Sequence, residues 1–217
     1  MSGEFFFLLP DLDRLHPDLN GSEVNPVDNN PIRAEYTTMY GREELEEDLR
    51  FWLNTAEPFQ VTEPVELTGF FPTLLETDMP IMRPQLPLVS RKLLETLQSV
   101  GDFTHRALAT RIKDDVESSG GEPDYPVGRT TDQYVLIQVL EHLDILDLEH
   151  SRYSSHNERT GSVTGLEKAV LTIPAAGVPP LFRLRAARTH LLVSAAGRAA
   201  LEAAGIRGVS FSDSPYY

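Results

Sequence analysis

The chain has 217 residues, 41% of them hydrophobic and 24% charged. That is enough apolar material for one large domain, and such a composition excludes global disorder. Acids outnumber bases 33 to 19, for a net charge of −14, which argues against non-specific nucleic-acid binding. The absence of cysteine removes disulfides, thiol nucleophiles and thiolate metal sites.

The N-terminus carries Glu4 where an export signal has basic residues, and its apolar run Phe5–Leu9 is stopped by Pro10. The run predicts a buried strand, and cytoplasm is the expected compartment. No apolar stretch approaches the roughly 20 residues of a membrane span. Residues 10–41 are rich in Pro, Asn, Asp and Gly, turn chemistry that predicts a long irregular arm. From Arg42 to Asn54 the spacing predicts a helix, with Leu45, Leu49, Trp52 and Leu53 on one stripe and Pro58 beyond its end.

Two later segments share a pattern. Leu88-Val89-Ser90 and Leu192-Val193-Ser194 each precede a helical stretch, with Ser placed to cap it. Gly101 and Gly205 lie eleven residues further on, suited to a left-handed C-terminal position. Between these units the chain reads as a surface loop from Asp114 to Thr131. Short strands are predicted at Tyr134–Leu140, Val163–Ile173, Leu181–Leu184, His190–Val193 and Gly208–Phe211.

These elements predict an α+β fold: a single domain with a mixed or antiparallel sheet, a few short helices and long irregular N-terminal loops. Residues 1–64 form an acidic N-terminal region and 65–217 the core. Charge is graded along the chain, at −13 over residues 1–80, −5 over 81–150 and +4 over 151–217.

Candidate chemistry is sparse. Glu141, His142, Asp144, Asp147, Glu149 and His150 crowd ten residues and supply oxygen and imidazole ligands for a cation. Their spacing matches no metal motif, and the plainer reading is a strand exit with Leu143, Ile145, Leu146 and Leu148 buried. A metal-dependent enzyme built on this cluster is the distant alternative. Gly161-Ser162-Val163-Thr164-Gly165 misses the nucleophile elbow by placing Ser second, and reads as a tight turn before a strand. Neither a phosphate loop nor a dinucleotide fingerprint is present. His105 and His190 read as structural histidines. No catalytic, cofactor or metal residue is assigned. Glu43, Glu44, Glu46, Glu47 and Asp48 crowd one helix. They read either as a solvated face or as a docking surface for a basic partner.

The second half resembles a known family. Tyr134–Leu140 runs into Leu143-Asp144-Ile145-Leu146-Asp147-Leu148-Glu149-His150-Ser151. Pro180-Leu181-Phe182-Arg183, Leu191-Leu192-Val193-Ser194 and Ala204–Phe211 follow in order, and the Leu88-Val89-Ser90 unit fits upstream. Together they resemble, over roughly residues 65–212, a bacterial, myxobacterial-type immunity-protein family of polymorphic toxin systems, formerly a domain of unknown function. One departure is Gln138, where the family pattern has Asn. The resemblance implies a non-enzymatic cytoplasmic protein, without cofactor, that binds and inhibits a cognate toxin encoded nearby, with no role for nucleic acid or membrane. An inhibitor or holding partner of a co-encoded secreted protease or other hydrolase is the closer alternative. The acidic residues 43–48 are the expected partner-binding positions.

Overall fold

The computed structural model describes residues 5–11, 24–26, 53–57, 61, 63–69, 71–80, 87–114 and 128–215. In chain order the elements are β1 (Phe5–Pro10), β2 (Val24–Pro26), β3 (Val65–Gly69), α1 (Phe71–Leu74), β4 (Leu88–Ser90) and α2 (Arg91–Val100). They continue with β5 (His105–Asp114), β6 (Thr130–Thr131), β7 (Tyr134–Val139), β8 (His142–Leu143), β9 (Ser155–Asn157) and β10 (Ser162–Thr164). The chain closes with β11 (Leu181–Leu184), β12 (Leu192–Ser194), α3 (Ala195–Ala203) and β13 (Val209–Ser212). This is the α+β class that the sequence predicts.

Two sheets carry the fold. One runs β13-β1-β12-β11-β8 and the other β2-β3-β5-β7-β4, with β6 also on β5; β9 and β10 form a separate hairpin. Pairing is mixed: β3–β5 and β11–β8 are parallel, the remaining pairs antiparallel. The N-terminal strand is built into the C-terminal half, between β12 and β13.

Side-chain alternation explains the layering, since successive residues of a strand face opposite sides. On one face of the β7 sheet, Leu53, Leu67, Leu74, Leu108, Ile112 and Leu136 form a first core. On its other face Val89, Val135, Ile137 and Val139 meet Leu8, Leu181 and Val193 of the β11 sheet. Leu97 of α2 and Leu201 of α3 pack into this same layer. The far side of the β11 sheet buries Phe7, Phe182, Leu184 and Leu192 under the 145–178 segment. β7 and β11 are covered on both faces, which is why they are buried at every position and read as apolar runs broken only by Gln138 and Arg183.

The two Ser-capped units are present and pack against each other through α2 and α3. Ser90 Oγ accepts the Leu93 N–H, and Ser194 Oγ accepts the Gly197 N–H, each at 3.1 Å. Their C-termini differ. Gly205 is left-handed at φ 62° and closes a Schellman motif: its N–H reaches the Glu202 carbonyl, and the Ile206 N–H reaches Leu201. Gly101 has φ 169° and continues extended, so the left-handed position predicted for it is corrected. Its chain leaves the helix straight towards β5 and does not turn back.

Other departures are informative. The strand predicted over Val163–Ile173 is β10 followed by irregular chain, pinned by single bridges at Leu146–Leu171 and Arg152–Lys168. Strands β3 and β5 were not predicted, although β5 is the ten-residue centre of its sheet. Of the predicted 42–54 helix only Leu53 and Asn54 fall within the described residues, as do only 128–131 and Asp114 of the predicted 114–131 loop. The Pro- and Asn-rich 10–41 arm is likewise described only at 10, 11 and 24–26.

Gly197 marks the tightest approach of α3 to the core. A Cβ there would stand 2.7 Å from the Pro180 carbonyl oxygen and 2.7 Å from Val193 Cγ2. Gly197→Ala is therefore expected to lower stability by about 1–3 kcal/mol, since backbone on one side does not give way. A lower urea midpoint at unchanged m-value is the readout.

Candidate functional site

The acidic positions Glu43, Glu44, Glu46, Glu47 and Asp48 lie outside the described residues. The Glu141–His150 cluster is described throughout, and its groups turn to separate local partners. Glu141 Oε2 accepts the Thr104 N–H at 3.3 Å, and His142 Nε2 meets the Val139 carbonyl at 3.0 Å. Asp147 accepts the backbone N–H groups of Glu149 and His150 and lies 2.9 Å from His150 Nδ1. The His150 N–H above all holds the Asp147 carboxyl below the usual range. Among the described residues no three His, Asp or Glu side chains converge as ligands. The segment is a capped turn with Leu143, Ile145, Leu146 and Leu148 half-buried against the third core.

Other singled-out residues also have local roles. Gly161 turns the exposed hairpin into β10, as the sequence predicts. His105 Nδ1 meets the Phe103 carbonyl at 2.9 Å and the ring stacks on Phe103 at 4.5 Å, a structural histidine. Gln138, the departure from the family pattern, is fully buried in mid-β7. Its amide donates to the carbonyls of Glu57, at 2.7 Å, and Thr55, at 3.3 Å. The central strand thus tethers the chain where the predicted N-terminal helix ends.

The charged centre of the molecule lies elsewhere. Arg183, in mid-β11, is 1% exposed. Its Nη1 donates to the Arg188 carbonyl, and its buried Nε has no hydrogen-bond partner among the described residues. Burial pulls the guanidinium down to about 9, so it is still charged at neutral pH. Beside it, burial and then Arg183 itself push His190 down to about 4; the His190 ring also meets Phe7 edge-on at 5.6 Å. His142 is lowered by burial first and by Arg183 next, with Arg188 and Arg185 adding to the effect. Sequence reasoning missed this cluster, although an arginine inside the apolar Leu181-Phe182-Arg183-Leu184 strand was the available signal.

Comparison with known proteins falls on this half of the chain. Residues 122–215 match the model of the immunity protein family Imm11. That match bears out the immunity-protein resemblance read from the sequence. It spans β6 to β13 and contains Gln138, the 141–150 turn and Arg183. The Leu88-Val89-Ser90 unit lies upstream of the matched residues. No curated protein matches the chain. No helix among the described residues is long and apolar enough to cross a membrane.

The imidazoles give the immunity-protein-like half a defined acid response. A histidine neutral in the fold and cationic when unfolded makes unfolding take up a proton, so acid favours unfolding. For His190 the window runs from about 6.5, its ordinary value, down to about 4. Stability is fully present above that window and is lost as pH falls through it, by about 3 kcal/mol from this residue. His142 acts in the same direction. Urea midpoints measured across pH 4–7 check this, and His190→Gln should flatten the fall.

Proposed function

We propose that the protein is a cytoplasmic, non-enzymatic immunity protein that binds a cognate toxin encoded beside it and blocks its action by occlusion. The Imm11 match over residues 122–215 carries this reading. Inhibition by occlusion needs no chemistry of its own, only an interface on the order of 1,600 Å². In this reading residues 65–217 are the core, and residues 1–64 add a partner-specific acidic surface. Co-expression with the product of each adjacent gene tests it: one of them should be toxic alone, tolerated with this protein, and recovered with it in a fixed ratio. Toxicity unrelieved by co-expression overturns the reading.

Glu43, Glu44, Glu46, Glu47 and Asp48 are proposed to steer a basic partner. Reversing Glu43, Glu46 and Glu47 to Lys should slow association about tenfold at low ionic strength and flatten its salt dependence. Unchanged association rates in a stopped-flow measurement would remove these residues from the interface.

A further inference from the structure

The positive charge gathered on β11 and the neighbouring β8 has a geometry suited to a ligand. In a parallel pair, residues in register share a face, as do residues i and i+2 of one strand. Arg183 is in register with His142, so the two share one face, while Phe182, Leu184 and Leu143 turn to the opposite core. Arg185, in the turn just past β11, donates its N–H to the Leu143 carbonyl at 2.9 Å and acts on His142 through its charge. β8 is the outermost strand of its sheet. The three side chains also grade in depth: Arg183 is buried, His142 half-buried and Arg185 exposed.

Among the described residues no ion pair joins Arg183, Arg185 or His142 to a carboxylate. The acids nearest in sequence are placed elsewhere. Glu141 is bonded to the Thr104 N–H, and Asp144 makes no ion pair among the described residues. Arg106, Arg111, Arg129 and Arg198, by contrast, each have a carboxylate partner. A buried guanidinium without an anion is costly to maintain. His142 completes the picture: its Nε2 faces the Val139 carbonyl, which leaves Nδ1 as the ring nitrogen available to a ligand.

We propose that Arg185, His142 and Arg183 form a carboxylate-binding site at the open edge of β8, and that it receives an acidic side chain of the toxin. The assignment to the toxin rests on the immunity reading above. Arg185 makes the first, charge-assisted contact. His142 takes a proton from solvent as the anion arrives, so that Nδ1–H becomes a second donor while Nε2–H stays on Val139. Arg183, behind them in low dielectric, adds attraction that water does not screen. The charges acting on His142 are Arg183 on β11 and Arg185 and Arg188 in the turn after it. Glu141 and Asp144 flank it on its own segment.

The test uses the whole chain and end-blocked hexaglutamate as probe, with hexaglutamine as control. The Cε1–Hε1 signal of His142 is followed by NMR across pH 4–8, in the protein and in Arg185→Gln, an exposed substitution that leaves the core intact. Expected is a saturable response to hexaglutamate alone, with at least a tenfold rise in His142's proton affinity, lost in Arg185→Gln. No saturable response, or an equal one in the variant or with hexaglutamine, overturns the site. The toxin complex is measured separately, where Arg185→Gln should weaken binding at least tenfold. A wild-type complex that Arg185→Gln leaves unchanged removes the toxin as occupant while immunity stands. If no toxin is bound at all, immunity itself fails, whatever the probe shows.

Discussion

Asp78→Ala is expected to be among the most damaging single substitutions in this protein, costing about 3–5 kcal/mol, a large part of the stability of an ordinary domain. Asp78 is 8% exposed and joins the two sheets. Its Oδ1 accepts the Ser90 hydroxyl at 2.6 Å, and its Oδ2 accepts the Arg207 N–H at 2.8 Å. Its own N–H donates to the Arg207 carbonyl, and its carbonyl accepts the Ser90 N–H. Ser90 in turn caps α2. Alanine leaves the buried Ser90 hydroxyl and the partly buried Arg207 N–H without this partner, and the desolvation cost is largest for the hydroxyl. The phenol of Tyr134, which donates to the Leu74 and Thr77 carbonyls of the same turn, is raised by burial first and by the Asp78 charge next. Asp78→Asn should keep more than half of the lost stability, because its carbonyl can serve Arg207 while its amide faces Ser90. Urea unfolding of both variants decides this; equal losses for Ala and Asn would assign the effect to charge and not to hydrogen bonding.

Arg183→Met should act in the opposite direction. Methionine is an unbranched, adaptable side chain with no charge to desolvate. The Arg188 carbonyl loses the Arg183 donor, a cost of about 1 kcal/mol, but release of a buried cation that has no ion pair among the described residues outweighs it. A net gain of about 1–3 kcal/mol is expected at pH 7. The acid sensitivity of the fold should also ease, because Arg183 is the second cause of the low His190 value and acts on His142 as well. Thermal or urea unfolding at pH 7 and pH 5 reads both effects; a marked loss of stability at pH 7 would mean the guanidinium is a structural bond to the 185–190 turn above all else.

Several elements were legible because their causes are local. Ser90 and Ser194 cap helices through contacts three residues away, so a Ser before a helical run was sufficient. β7 and β11 are covered on both faces and therefore carry apolar residues at nearly every position. β5 was hidden because Arg106-Ala107-Leu108-Ala109 has high helix propensity; what makes it a strand is pairing with β3 and β7 on either side. Gln138 stood out only as a departure from a pattern, and its reach to Thr55 and Glu57 explains why a longer amide is useful there.

The sequence by itself determined the class of fold, the capped units, the strongly acidic balance and the immunity-protein resemblance, each a matter of composition or of neighbours a few residues apart. Tertiary structure alone decided that Arg183 is buried and that His142 lies in register with it. It also decided that Asp78 ties together segments 129 residues apart. The reason is physical: the field at a charge depends on which strands are stacked over it, and local sequence does not encode that stacking.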